Sequence, residues 1–191
     1  MIRTAESSCI PLSCAQLWPI SLAAYHSLGE AGLVPKNTEL LYGLVYFKVR
    51  KLPFHSYLAT RLRGILVATQ PPGLFVSPGQ PITCHDSEPE PDLAVVSGNP
   101  EDFRHDHPHT AELVIEICVT SYDYVRSKLR AYASAGVKEC WLVLGPEKQI
   151  EVHRQPAGGQ FAERVITGPG GRLVSAALPL FTVDLEALFA K

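Results

Sequence analysis

No apolar run in the 191 residues approaches the roughly 18 that a membrane-spanning helix requires. The opening residues lack the charged-then-apolar pattern of a secretory leader. Cysteine is sparse and unpatterned: Cys9, Cys14, Cys84, Cys118 and Cys140 are an odd number with no CxxC pair, which argues against a zinc ribbon or a disulfide framework. Cys118 and Cys140 lie in apolar runs and read as buried free thiols, the pattern of a reducing compartment. These absences lead to the expectation of a cytoplasmic protein with no membrane partner. Excess charge is missing too. With 17 Lys and Arg against 19 Asp and Glu, the net charge is −2, so a polyanion would have to be met by a local patch rather than a global field. No aromatic ladder points to base readout.

What is present is an ordinary globular composition, 46% hydrophobic and 19% charged, long enough for one domain with a sizeable core. There is no internal repeat and no dividing linker. Residues 1–14 read as irregular, and 14–33 as a helix interrupted near Pro19 and ended by Gly32. Together, 1–34 form an N-terminal segment packing on a domain of residues 35–191. "ELLYGLVYFKV" (39–49) reads as a strand pair turning at Gly43. Leu58, Leu62, Ile65 and Leu66 have helical spacing. The Pro- and Gly-rich stretch that follows is expected to hold short strands at 74–76 and 82–84. "DLAVV" (92–96) and "AELVIEICV" (111–119) are strands, and "SYDYVRSKLRAYASAGV" (121–137) is one amphipathic helix capped near Gly136. "KECWLVL", "QIEVHRQ", "GQFAERVI" and a closing strand-and-helix segment complete a single α/β domain with a mixed, largely antiparallel sheet.

Two carboxylates stand out. Asp92 follows Pro91 and opens an apolar strand, and Glu116 interrupts "LVIEICV". A charge left in such a run is costly unless a base or a metal compensates it. If the two strands neighbour each other, the carboxylates converge. Lys128, on the following helix beside the Val125–Leu129–Tyr132 stripe, can reach over the end of the sheet. Two carboxylates suit Mg²⁺ or Mn²⁺, and a lysine can orient the attacking water or offset charge that develops on a phosphodiester.

"PEPDLAVV" followed by "LVIEI" resembles the PD-(D/E)XK nuclease superfamily. Within it, "ELLYG", His55 before a helix, "KLRAYASAGVKECWLV" and "LPLFTVDLEALF" are similar to the Uma-type restriction endonucleases over about residues 35–190. The resemblance implies a restriction-endonuclease-like mixed β-sheet flanked by α-helices. It further implies metal-dependent endonucleolytic hydrolysis of DNA, expected to be duplex, by a homodimer. Asp92 and Glu116 would be its metal ligands. The superfamily's usual lysine stands two positions after the glutamate, where this chain has Cys118, a residue that cannot act as a cation. In the Uma-type branch the role moves to the following helix, which lands on Lys128. The same carry-over adds Glu39 as a ligand or water-orienting group.

Blander readings stay open for each residue. Asp92 can cap a turn. Glu116 can be a structural partner of Arg126 or Lys128. His55 can cap its helix as well as line the site. Lys48, Arg50 and Lys51 with Arg61 and Arg63 can contact phosphates or simply face solvent. His105, His107 and His109 alternate as a zinc site would, but their Asp- and Pro-rich surroundings read as a solvated loop. A nuclease fold that has lost cleavage and acts in binding or regulation is the competing function.

Overall fold

The computed structural model of the protein describes residues 17–190; Cys9, Cys14 and the expected irregular stretch 1–14 lie outside them. A six-stranded sheet in the order β3-β4-β5-β6-β7-β8 forms the centre, built from β3 (Leu74–Pro78), β4 (Leu93–Ser97), β5 (Leu113–Cys118), β6 (Glu139–Leu144), β7 (Gln149–Ala157) and β8 (Gln160–Thr167). Every pairing is antiparallel except β5 with β6. That parallel pair needs a crossover, which helices α3 (Tyr122–Ser127) and α4 (Leu129–Ser134) supply.

The central strands β4, β5 and β6 read as near-continuous apolar runs because both their faces are covered. On one face Leu58, Leu62 and Leu66 of α2 (Pro53–Thr69), at four-residue spacing, pack on Leu93, Val95, Leu113, Ile115 and Trp141. The closing segment joins this face: β9 (Arg172–Val174), β10 (Thr182–Asp184) and α5 (Leu185–Leu188) bring Leu173, Phe181, Val183 and Leu188. On the other face Val125, Ala131 and Tyr132 of the crossover cover Ala94, Val114, Cys118, Cys140 and Leu142. The result is a single three-layer α/β/α domain. Cys84, Cys118 and Cys140 are free and buried.

A separate hairpin, β1 (Thr38–Leu41) with β2 (Leu44–Phe47), closes one end of the sheet. Tyr42 (φ 55°) and Gly43 (φ 74°) form its two-residue turn, the positive-φ pair that suits the twist of a hairpin. Gly43 is also the contact with the N-terminal segment. Its carbonyl accepts from Ile20 N at 2.9 Å, and a Cβ there would lie 2.4 Å from Pro19 Cβ.

Three elements depart from expectation. The N-terminal helix is shorter than residues 14–33: α1 spans Leu22–Glu30, starting where the Ser21 hydroxyl accepts from Ala24 N, two residues beyond Pro19. Residues 82–84 are not a strand. Their amides bond Pro89, Pro108 and Ser87 carbonyls individually, because Pro78, Pro81, Pro89 and Pro91 crowd the stretch with residues that cannot donate to a ladder. The helix over 121–137 is broken in two at Lys128, whose amide bonds Val125 O, three residues back, rather than four.

Candidate active site

The β4–β5 register sets Leu93 opposite Ile115, so one step further along the antiparallel pair Asp92 faces Glu116. Both strands therefore deliver a carboxylate to the same end of the sheet. Glu116 has the parity of Val114 and Cys118, the face beneath the crossover helices. β1 brings Glu39 to the same place. Lys128, at the break between α3 and α4, drops into the space between them: its Nζ lies 2.9 Å from Glu39 Oε1 and 3.1 Å from Glu116 Oε1. All four side chains are buried, with relative exposures of 2% for Glu39, 9% for Asp92, 3% for Glu116 and 3% for Lys128.

Each acid is anchored by more than charge. Asp92 Oδ2 accepts from Ile117 N at 2.9 Å and contacts His55 Nε2 at 2.9 Å, while Oδ1 meets Lys51 Nζ at 2.9 Å. Glu116 Oε1 also accepts from the Tyr132 hydroxyl at 2.6 Å. Glu39 accepts from the Tyr124 hydroxyl through Oε1 and from Glu90 N at 2.8 Å through Oε2. Lys48 holds Glu90 at 2.7 Å. Among the described residues Glu116 Oε2 has no hydrogen-bond partner, and it is not shielded from solvent, so it looks into the cleft.

Burial sets the electrostatics. It is the largest influence on Glu116, lifting its pKa to about 7 against the pull of Lys128, with the charges of Asp92 and Glu39 pushing the same way as burial. Burial also pushes Asp92 upward, but hydrogen bonding and charge from His55 and Lys51 together overcome it, and its pKa falls below the ordinary value. Desolvation works against the Lys128 ammonium, yet Glu116 and Glu39 hold it charged, with its pKa raised. Because Glu39 is a second partner, the ammonium keeps a counter-charge even when Glu116 takes up a proton.

The set lies in a cleft of about 420 Å³, whose walls also include Lys48, Arg50, Lys51, His55, Tyr124 and residues 119–121. The structure thus brings together Glu39, Asp92, Glu116, Lys128, Lys48, Arg50, Lys51 and His55. His55 faces Asp92 rather than capping α2. Arg61 is not part of the cleft; it donates to Ala187 O at 2.9 Å and to the Tyr57 hydroxyl at 3.1 Å, tying α2 to the closing segment. Arg126 turns to Tyr122 instead of Glu116. His105, His107 and His109 are exposed, and among the described residues no group of three His, Cys, Asp or Glu is poised around one point. The sequence reading missed Tyr124 and Glu90, and gave Tyr132 a place in the apolar stripe without a role in the site. A signal for the tyrosines was available: positions 124, 128 and 132 are four apart, the spacing of one face in an unbroken helix.

The donor set fits a hard divalent cation. Mg²⁺ takes oxygen ligands and commonly uses only one or two carboxylates, with substrate phosphate and water completing its octahedron. Asp92 and Glu116 offer such a pair, and Glu116 Oε2 is free toward the cleft.

A mixed sheet clad by helices, with acidic residues delivered by adjacent strands to a cleft at its end, defines a nuclease-like α/β fold. A crystal structure described as "a putative nuclease belonging to DUF820" from Anabaena variabilis superposes with a TM-score of 0.76 at 18% identity, covering 90% of this chain and 98% of that one. The chain belongs to the Uma2 family, described as "Putative restriction endonuclease", whose family model matches residues 34–186. A search of curated proteins returned no match.

Proposed function

We propose that the chain is a Mg²⁺- or Mn²⁺-dependent endonuclease that hydrolyses DNA phosphodiester bonds in this cleft. The observation that carries the reading is the buried Lys128 ammonium set between Glu39 and Glu116 beside Asp92, with the cleft open above them. A purely structural ion pair has no need of a third acid on the neighbouring strand, nor of an approach from solvent. Asp92 and Glu116 would hold the cation, which when bound would supply neutralising charge for the scissile phosphate. Lys128 offsets negative charge that builds up there, and Glu39 with Tyr124 fixes where its ammonium sits. Lys51, more than half exposed on its flexible stem, can leave Asp92 and meet a phosphate oxygen instead. Cutting both strands of a duplex would take two such sites, so homodimerisation belongs to the same proposal and is checked by light scattering on the purified chain.

One observation favours the competing function, a fold that binds without cutting. Each acid of the proposed set already has an ammonium from the chain itself: Lys128 on Glu39 and Glu116, Lys51 on Asp92. Calorimetric titration with Mg²⁺ separates the two, since a binding module shows no affinity that Asp92→Ala abolishes. The functional test is plasmid cleavage with Mg²⁺ or Mn²⁺. Wild type cuts, while Glu116→Ala and Lys128→Ala, verified as folded by circular dichroism, lose at least about a hundredfold, roughly 2.7 kcal/mol of barrier. Equal silence of wild type and both variants on every DNA tried sinks the nuclease reading.

A further inference from the structure

We propose that the strand entering the cleft is unpaired, with its bases stacking on aromatic rings at the cleft mouth; this rests on the nuclease reading above and narrows its substrate. The sequence shows no aromatic ladder, but the fold gathers rings from separate elements. Tyr46 pairs with Glu39 across the β1–β2 hairpin, so both side chains point to the same face. Its ring lies 5.9 Å from that of Tyr124, which lines the cleft. Tyr46 is 37% exposed, so its ring is open to solvent beside the cleft. The segment that follows β2 carries Lys48, Arg50 and Lys51, all lining the cleft.

The charge pattern favours unpaired over duplex substrate. A duplex binder draws much of its affinity from neutralising many phosphates. Here Lys48 is engaged by Glu90, Lys51 by Asp92 and Lys128 by two glutamates. Arg50 is left as the cleft cation with no acidic partner among the described residues, in a chain of net charge −2. Even with Lys51 leaving Asp92 for a phosphate, only Arg50 and Lys51 are free to neutralise one, so exposed rings become the main source of affinity. Rings can reach base faces only when the bases are splayed out of a duplex, and such stacking is tolerant of sequence.

The experiment is fluorescence anisotropy of the full chain with labelled oligothymidylate and with a duplex of the same length. It is run in EDTA and again in Ca²⁺, beside cleavage in Mg²⁺ of both the oligothymidylate and plasmid by wild type and Glu116→Ala. The expected result is at least about tenfold tighter binding of oligothymidylate, a loss of about tenfold in Tyr46→Ala, and retention in Tyr46→Phe. The slope of log affinity against log salt should be no steeper than about −2, the mark of few phosphate contacts. Duplex binding as tight as single-strand binding, or no effect of Tyr46→Ala, overturns the inference. So does a change of oligomeric state in Tyr46→Ala, which would assign the ring to a second copy of the chain. If wild type cuts duplex plasmid, Glu116→Ala does not, and oligothymidylate is not bound, only this inference falls. If oligothymidylate binds through Tyr46 but nothing is cut, the nuclease reading falls and a single-strand-binding module remains.

Discussion

Asp92 and Glu116 face each other across two strands and yet are tuned in opposite directions. Asp92 reaches the rim, where Lys51 and His55 keep it ionised; Glu116 lies deeper, where burial lifts its pKa to about 7. A cation needs both in carboxylate form, so Mg²⁺ affinity should strengthen as pH rises from about 6 to about 8 while Glu116 gives up its proton. Glu116→Gln should flatten that dependence, whereas Asp92→Ala lowers affinity at every pH; calorimetry across the range distinguishes them. Stability runs the other way. A folded-state pKa near 7 against an ordinary 4.5 means the native chain binds the Glu116 proton more tightly than the unfolded one between those values. Folding stability therefore falls as pH rises through that window, and Glu116→Gln removes this part of the slope. Lys128 supplies a third test. Lys128→Met leaves Glu39 and Glu116 buried without their shared counter-charge and should cost about 3–5 kcal/mol. If Asp92 and Glu116 hold a cation, Mg²⁺ should restore part of that loss in urea unfolding, and no restoration would count against the proposed ligands.

Lys128 has its position because the crossover is two short helices rather than one. The shift from four-residue to three-residue bonding at its amide resets the helical phase and sets the side chain inward between β1 and β5. An apolar stripe signals an amphipathic helix but carries no signal for such a break, which is why the crossover was legible and its division was not. The strands were legible for a related reason: burial on both faces writes continuous apolar runs, and an acid inside one is conspicuous. Glu39 was reached through resemblance alone, since β1 is four residues long and too short to show a pattern. Glu90 and the displacement of Arg61 to α5 depend on side-chain reach between distant elements, which spacing does not encode. The hairpin turn that aims β1 gives an element-scale prediction. Gly43→Ala puts a Cβ against Pro19 at positive φ and should lose about 1–3 kcal/mol, with cleavage falling as Glu39 is displaced. An unchanged thermal midpoint would show that the N-terminal contact is dispensable.

Across the whole molecule, the charge buried at the cleft is separate from charge buried for architecture. Glu139 is 1% exposed and accepts from Trp141 Nε1 at 2.7 Å, Arg154 Nε at 3.0 Å, Ser175 Oγ at 2.7 Å and Ala177 N at 3.0 Å. With four donors satisfied, it ties β6 to β7 and to the closing segment, and no cleft reaches it. It begins β6, opposite Leu113, while Glu116 pairs with Leu142, so the two glutamates are separated by three residues of strand, about 10 Å. They also lie on opposite faces of the sheet, Glu139 with Trp141 and Glu116 with Val114. Changes that far apart with no shared partner should act independently. Glu139→Ala strands the Arg154 guanidinium and should cost about 3–5 kcal/mol, read as a lower urea midpoint. Below its melting temperature the initial cleavage rate per folded molecule should match wild type. A variant of normal stability but impaired rate would mean that the two buried glutamates are coupled through the sheet, and that the cleft is not the self-contained site its geometry describes.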